Sequence, residues 1–564
     1  MFFLKKKSYD YILFFFISLA FFYSILSCQH YSPSVHDFYI NSILFSICSF
    51  GLFFYFFKKD IKVYINSLVW ILLLFIFITQ PFINKIIYVD GLIFPVAEMV
   101  LVLILSIAIS NIENKDLFVR NLSVVFFITT IFLFFTQISH ALKIMPIIDL
   151  MGLPLQEQRF SGNLFQPNQT AFVFVVGVIS TLYFFNNLKK YNLLKNVIIF
   201  FLSLGVALTV SRSGILLLIG SVLIFNLYSN YYENKKIYYL KDTSISIIGL
   251  LLGFFLYNKY SISENVIDRM EMSVDDPRLS LLYQSWLIFS GDPITGIGWK
   301  NFASGGLQYS DQIEGLIFAD HSHFIFSQLL SEFGLLGLIL IVVFFYIFIK
   351  NILYISNLRE AYLFSILLVF IAYSCFEYPL WYLRYLFVFC IFFSLFDKSE
   401  KFFYKIEKGY LLSMVAFFLT FSSIYYIYQY NKLIYINAII FDSKYSVKER
   451  TEKLIEMRPV FGFSYFNDLF VYQTMEVDRF LLTDKILIGE RLVNYIPMNQ
   501  YLIKQGALLA FDNQNKKALY YFKASCYYNL GKKCDSTKAY LKSVSLSNPR
   551  IFKDIYIEIL KTNN

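Results

Sequence analysis

The chain has 564 residues, of which 57% are hydrophobic, 20% aromatic and only 16% charged, with 66 Phe and 44 Tyr. A soluble chain carries about 25% charged residues, and water could not solvate this much apolar surface over several soluble domains. The formal net charge of +10 lies in short Lys/Arg clusters between apolar runs, the pattern of membrane topology and not of a nucleic-acid-binding face.

A membrane-crossing helix needs about 20 mostly apolar residues. In chain order, thirteen stretches qualify as predicted spans, near 9–27, 38–57, 63–80, 90–110, 118–140, 168–186, 195–210, 213–229, 242–258, 323–349, 361–376, 379–396 and 409–428. The first has a basic lead of Lys5, Lys6 and Lys7 but no small-x-small cleavage site, so a retained anchor is expected. With the N-terminus inside and strict alternation, the inner segments hold 20 Lys/Arg, among them Lys58, Lys235, Lys236 and Lys401, and the outer loops hold 8, among them Arg269 and Lys300. The positive-inside rule favours this arrangement. It places four polar features on one outer face: the loop 141–167, the turn Ser211–Gly214, the long loop 259–322 and the turn around Glu377. The expected fold is therefore an all-α polytopic membrane protein of about 12–13 transmembrane helices.

From about residue 430 the composition changes. The segment 430–564 has 20 Lys/Arg against 13 Asp/Glu, with apolar residues at helical spacing, as in Ala507, Leu508, Phe511 and then Ala518, Tyr521, Phe522. It is expected to be a soluble helical domain on the outer side, with Gly506, Gly531 and Pro549 as punctuation, and it faintly resembles a tetratricopeptide-type repeat. The expected division is 1–429 and 430–564. Cys526 and Cys534, eight apart, are either a disulfide or two unrelated small apolar residues. The other cysteines have no metal spacing, and no zinc site is expected.

Residues able to carry chemistry are few. Of the five histidines (His30, His36, His140, His321 and His323), two stand together in Asp320-His321-Ser322-His323, just before a span on the outer face. Histidine can act as a base near neutral pH. Metal ligation by this pair with Asp320 is the competing reading, but it needs a third strong ligand and a defined geometry, and the sequence offers no motif for one. Arg159, Arg212 in Ser-Arg-Ser-Gly, and Arg278 after Asp275-Asp276-Pro277 are the candidate anion ligands. Arginines at a membrane boundary commonly snorkel. Arg212, however, interrupts near-continuous hydrocarbon, where charge is costly unless used, and guanidinium groups match phosphate bidentately. Gln166, Asn168 and Gln169 in Gln-Pro-Asn-Gln can bond sugars or cap a helix. Glu377-Tyr378-Pro379-Leu380-Trp381-Tyr382 holds a carboxylate that an interfacial aromatic belt does not explain. Gly296-Ile297-Gly298-Trp299 lacks the spacing of a nucleotide loop.

These motifs, in this order, resemble the O-antigen ligase and polymerase superfamily of bacterial envelope glycosyltransferases. His323, followed by Phe324, nine residues and then Gly334 and Gly337, is similar to the ligase motif, except that Phe324 stands where the family has Asn, Ser or Gln, leaving Gln328 as the nearby amide. Arg212, Arg278 ahead of Trp286, and the Gly291–Trp299 stretch are similar to the family's diphosphate-binding and loop motifs. Arg159 with the Gln-Pro-Asn-Gln segment, the Glu377–Tyr382 turn and a soluble tail resemble the protein O-oligosaccharyltransferase branch.

The resemblance implies a periplasm-facing enzyme of the bacterial inner membrane. It would transfer a glycan en bloc from undecaprenyl diphosphate to a Ser or Thr of an exported protein such as a pilin, without cofactor, metal or nucleic acid. It implies His323 as base with His321 beside it, Arg212, Arg278 and Arg159 on the donor diphosphate, and Gln166, Asn168, Gln169, Glu377 and Tyr378 as substrate-binding. The alternative within the class is an O-antigen polymerase or lipid A-core ligase using the same donor. A lipid or sugar transporter, which would need matching halves with broken helices, is the alternative outside it.

Overall fold

The fold is taken from a computed structural model of the chain, which describes residues 6–33, 37–57, 59–152, 159–186, 188–233, 238–261, 266, 277–313, 316–398, 402–457, 459–528 and 534–561. Lys5, His36, Lys58, Lys235, Lys236, Arg269, Asp275, Asp276, Lys401 and Gly531 lie outside the described residues.

A helix occupies each of the thirteen expected stretches. Apolar runs in a bilayer must bond their own backbone, so helix is the default. Among the described residues, eight helices are long and apolar enough to cross a membrane, and three more apolar helices, Ser67–Ile83, Asn192–Leu208 and Leu383–Phe396, are shorter. The described residues are nearly all helical, with one departure. Ile61–Tyr64 and Phe402–Ile406 pair as an antiparallel two-stranded ribbon, in two segments that the apolar periodicity could not mark because they are short and charged.

The chain forms two compact units. The first comprises Met1–Ile71, Ala97–Met272 and Val343–Tyr430, and the second Leu72–Val96, Ser273–Val342 and Asn431–Asn564. In the first unit the helices approach closely where side chains are small. A Cβ on Gly249 would lie 2.5 Å from the Phe200 carbonyl oxygen, and one on Gly253 2.5 Å from Ala207 Cβ. The helices Asn192–Leu208 and Tyr238–Tyr260 therefore pack along a glycine face four residues apart, as membrane helices do where apolar burial gives no drive. Polar links also tie the helices of this unit: Lys59 pairs with Asp10 (3.0 Å), Lys195 with Asp242 (2.7 Å) and Arg359 with Asp116 (2.7 Å).

In the second unit the tail is a run of helices from Val447–Glu456 to Pro549–Lys561 around one apolar core that includes Leu492, Leu502, Leu508, Phe522, Leu541 and Phe552. Leu307 of the long loop belongs to the same core, and Tyr520 Oη donates to the Leu307 carbonyl (3.3 Å). Asp90 accepts from the Gly462 and Ser464 amides and the Ser464 hydroxyl (2.8, 3.1 and 2.6 Å). Asp468 takes Tyr88 Oη (2.9 Å) and a two-point contact from Arg491 (2.8 and 2.9 Å). Cys526 and Cys534 are joined as a disulfide, with Cα atoms 4.4 Å apart.

Candidate functional site

The expected site residues fall into two groups, one in each unit. In the second unit, the helix Pro277–Gly291 starts at Pro277, which suits a first helical turn, and carries Arg278 next to that start. Its Leu281 and Ile288 pack on Phe302 of the short helix Phe302–Gln308. Between the two helices runs the glycine-rich stretch. The Ile297 and Gly298 amides donate to the Ser331 and Glu332 carbonyls (both 2.9 Å), and the Leu335 amide donates to the Ile294 carbonyl (3.0 Å). This backbone pairing requires a break in the helix Ile325–Ile352, and Gly334 supplies it with φ 55° and ψ −129°, a conformation that side chains disfavour. A Cβ on Gly334 would sit 2.6 Å from the Gly296 nitrogen, and one on Gly296 2.4 Å from the Glu332 carbonyl carbon. The first glycine of the ligase-like motif and the glycines of the long loop thus answer each other.

That pairing holds the histidine pair. Trp299, whose amide donates to Gln80 Oε1 (3.0 Å), stacks on Phe333 with ring centroids 6.2 Å apart. The next amide, Lys300, donates to Glu332 Oε1 (3.0 Å), a carboxylate 1% exposed. Lys300 Nζ pairs with Asp320 Oδ2 (3.0 Å), and Asp320 Oδ1 takes His321 Nδ1 (2.5 Å). The His321 and His323 rings lie 4.3 Å apart. Gln328 accepts from the Ser322 amide (2.7 Å), so the amide that the absence of a polar residue at Phe324 singled out braces the backbone between the two histidines. His323 and Lys300 both have left-handed φ (57° and 63°), a conformation that costs a non-glycine residue about 1–3 kcal/mol and clusters at functional sites. Burial pushes His321 below the ordinary histidine value, with Asp320 opposing it. Burial also works against a charge on Lys300, but Asp320 outweighs it and holds the ammonium above its usual value.

In the first unit, Arg159 Nε donates to the Thr209 carbonyl and Nη2 to Asn168 Oδ1 (both 2.7 Å). Asn168 Nδ2 in turn donates to Glu377 Oε1 (2.7 Å). Three segments far apart in sequence, all read as site-bearing, are therefore tied into one chain of charge-assisted bonds. Tyr378 lies beside it, its ring 5.7 Å from Tyr382. Gln166 caps the helix Pro167–Phe185 by accepting from the Gln169 amide (2.7 Å), which is its capping role. Gln169 Oε1 accepts from Arg384 and Tyr385 (3.1 and 3.0 Å). Arg212 opens the helix Arg212–Glu233, where Ser211 Oγ accepts from the Gly214 amide (3.2 Å). It is exposed and makes no ion pair among the described residues. The turn before it holds buried Val210 at φ 46°, where a β-branched residue is unusual.

Sequence reasoning missed a second buried network in this unit. Arg384, 1% exposed, pairs with Asp37 and lies 5.1 Å from the Tyr382 ring. Asp37 Oδ1 takes His30 Nδ1 (2.9 Å), and His30 Nε2 meets the Asn163 carbonyl (2.9 Å). Burial raises the Asp37 carboxyl, but the Arg384 guanidinium and His30 outweigh it and hold it at about 2. The argument applied to Arg212, charge in hydrocarbon, would have found Arg384. Lys300 and Glu332 flank motifs that were singled out, but their pairing is across the fold.

Residues 197–342 match the sequence family described as O-Antigen ligase, and residues 361–530 match the one described as virulence factor membrane-bound polymerase, C-terminal. A ComP-specific O-oligosaccharyltransferase of Acinetobacter baylyi is 24% identical over 338 residues, covering 58% of this chain and 60% of that protein. The match thus spans less than two thirds of that relative's length. These findings agree with the superfamily and the branch that the motifs resemble.

Proposed function

Because the O-antigen ligase match at 197–342 contains Arg212, Arg278 and the histidine pair, we propose that the protein is an oligosaccharyltransferase of the bacterial inner membrane. It moves a glycan en bloc from undecaprenyl diphosphate to a Ser or Thr hydroxyl of an exported protein such as a pilin, at the periplasmic face. The observation that carries this reading is the histidine pair braced by Asp320 and Lys300 (2.5 and 3.0 Å). Such a pair can take a proton from a hydroxyl at neutral pH.

The acceptor oxygen attacks the anomeric carbon, its proton passes to His323, and the bond from that carbon to the diphosphate oxygen breaks. Undecaprenyl diphosphate leaves with the bonding electrons. One direct displacement inverts the anomeric configuration. The leaving diphosphate needs fixed positive charge. Arg212 fits this need, because an exposed guanidinium at the start of a helix adds its charge to the free amides there. Arg278, next to the start of the helix Pro277–Gly291, is a second guanidinium suited to this need. Arg159 contributes by holding the Asn168–Glu377 segment against Thr209, three residues before Arg212. The outer placement is supported by the charge asymmetry of the loops and by a disulfide, which persists in oxidising compartments.

The test is transfer in cells that export an acceptor protein and make the lipid-linked glycan. His323→Ala abolishes glycosylation while the protein still inserts, and full activity in that variant removes the base assignment. Arg212→Lys impairs transfer, since a point charge does not replace a planar fork. The polymerase-type match over 361–530 favours a second reading, with a sugar as acceptor. Glycan missing from lipopolysaccharide and retained on the exported protein in a deletion strain selects that reading.

A further inference from the structure

We propose that Lys300 is a positioning residue that acts on the histidine pair through Asp320, fixing which nitrogen of His321 carries its proton and keeping that ring neutral beside His323. This deepens, and for its catalytic consequence rests on, the reading of the histidine pair as the proton acceptor.

The geometry around Lys300 is built from both sides. Its backbone is pinned by the Glu332 carboxylate at its own amide (3.0 Å) and by Gln80 at the Trp299 amide (3.0 Å). Its left-handed φ of 63° turns the side chain out of the path an ordinary extended residue would take. The ammonium ends 3.0 Å from Asp320 Oδ2, with the lysine side chain 13% exposed. The other oxygen of the same carboxylate takes His321 Nδ1 at 2.5 Å. An ionised carboxylate accepts only, so Nδ1 of the neutral ring carries hydrogen and Nε2 is left as the basic nitrogen.

Burial first, and Lys300 with it, weaken the hold of that ring on a second proton. Asp320 alone would favour the imidazolium, because an opposite charge stabilises the charged form. An imidazolium at His321 would repel the proton that His323 must take. Lys300 shares the carboxylate and repels the imidazolium, and burial acts in the same direction. Among the described residues, the charged and titratable groups that face this chain include His323, Glu332 and, from the tail, Tyr465 and Tyr495. Tyr495 stacks edge-on with Tyr88 (5.0 Å) and meets Tyr465 (4.9 Å). The tail therefore shares the electrostatic surroundings of the relay.

The test uses the full chain in detergent. Hydrogen–deuterium exchange at imidazole C2, followed by mass spectrometry with fragment ions that separate His321 from His323, gives the titration midpoint of each ring without any turnover. Lys300→Met raises the His321 midpoint by about one pH unit, the lower end of the effect of one nearby charge. Lys300→Arg leaves it near the wild-type value, and Asp320→Asn lowers it. An unmoved midpoint in Lys300→Met overturns the proposal. If that variant does not fold, an unmoved or raised midpoint in Asp320→Asn does so. In glycan transfer to an exported acceptor, protonated His321, its ring 4.3 Å from that of His323, repels the proton that His323 must take, so the acid limb of the pH profile moves up in Lys300→Met and returns in Lys300→Arg. A profile that only scales down also overturns the proposal. Absence of transfer in the wild-type protein refutes the proposed function instead, and leaves the exchange result to decide on the relay.

Discussion

Gly334→Ala tests whether the histidine-bearing loop is held by backbone pairing. The new methyl group would lie 2.6 Å from both the Gly296 nitrogen and the Ile294 carbonyl oxygen, and 2.7 Å from the Ile294 carbonyl carbon. These are backbone atoms that cannot rotate away. Forcing a side chain into a packed site costs about 1–3 kcal/mol. The φ of 55° with ψ of −129° adds about 1–3 kcal/mol for a residue with a Cβ. If the loop moves to relieve the clash, the amide bonds of Ile297, Gly298 and Leu335 are lost instead, at roughly 0.5–1.5 kcal/mol each. Either route costs about 2–5 kcal/mol, or on the order of 5–15 °C in melting temperature for a unit of this size. The assay is thermal unfolding of the detergent-solubilised chain, with amide exchange over 294–300 and 331–336. Gly220→Ala is the control. Nothing lies within 4 Å of the Cβ it would add, and in the helix Arg212–Glu233 alanine is neutral to stabilising by up to about 1 kcal/mol. A Gly334→Ala protein that melts with the wild type and keeps those three amides protected refutes the reasoning.

Glu377→Gln keeps the shape of the Arg159–Asn168–Glu377 chain and removes its charge. Glycan transfer is expected to fall about tenfold, corresponding to roughly 1.4 kcal/mol for a weakened charge-assisted bond, with normal membrane insertion on fractionation. Arg384→Met leaves Asp37 half-buried without its guanidinium partner, with His30 still beside it, and is expected to destabilise the first unit by about 3–5 kcal/mol, read as lost expression or a lowered melting temperature. Asp37, held at about 2 against an unfolded value near ~3.9, contributes roughly 2.5 kcal/mol that is fully present above about pH 4 and is lost as the pH falls through about 2. In acid unfolding at matched temperature, Asp37→Asn removes the part of the pH dependence lying in that window. Cys526→Ser opens a loop of eight residues' separation and is expected to cost about 2–3 kcal/mol in the tail, with the same midpoint as reduced wild-type protein in a thermal melt.

The membrane helices were legible because a bilayer imposes one rule on every span. About 20 apolar residues must satisfy their own backbone, and that signal is contiguous in sequence. The same locality explains what was hidden. Arg159, Asn168 and Glu377 could each be singled out, but not that Asn168 bridges the other two, since the bond to Glu377 joins residues 209 positions apart. Lys300 was counted as one outer-loop charge, and its partner Asp320 lies 20 residues on. Arg384 escaped attention because it follows an aromatic turn that already had an interfacial explanation. The glycines of 291–299 gave a motif without a reason, because their reason is the backbone of a helix some 35 positions further along. The two short strands carry charged residues and no long alternation, so periodicity had nothing to register.

The seat of Asp90 has a consequence for how the protein is made. The carboxylate that receives Ser464 waits for a residue 374 positions later in the chain, which at ~5–20 residues per second is roughly 20–70 s of synthesis. The long loop likewise contributes Leu307 to a core that the tail must supply. Through that interval the membrane helices can insert while the segment bearing His321 and His323 lacks its last supports. A chain released early, or stalled before the tail emerges, would therefore hold its lipid-facing helices without a finished histidine-bearing loop. The order of translation thus leaves that loop to be assembled last.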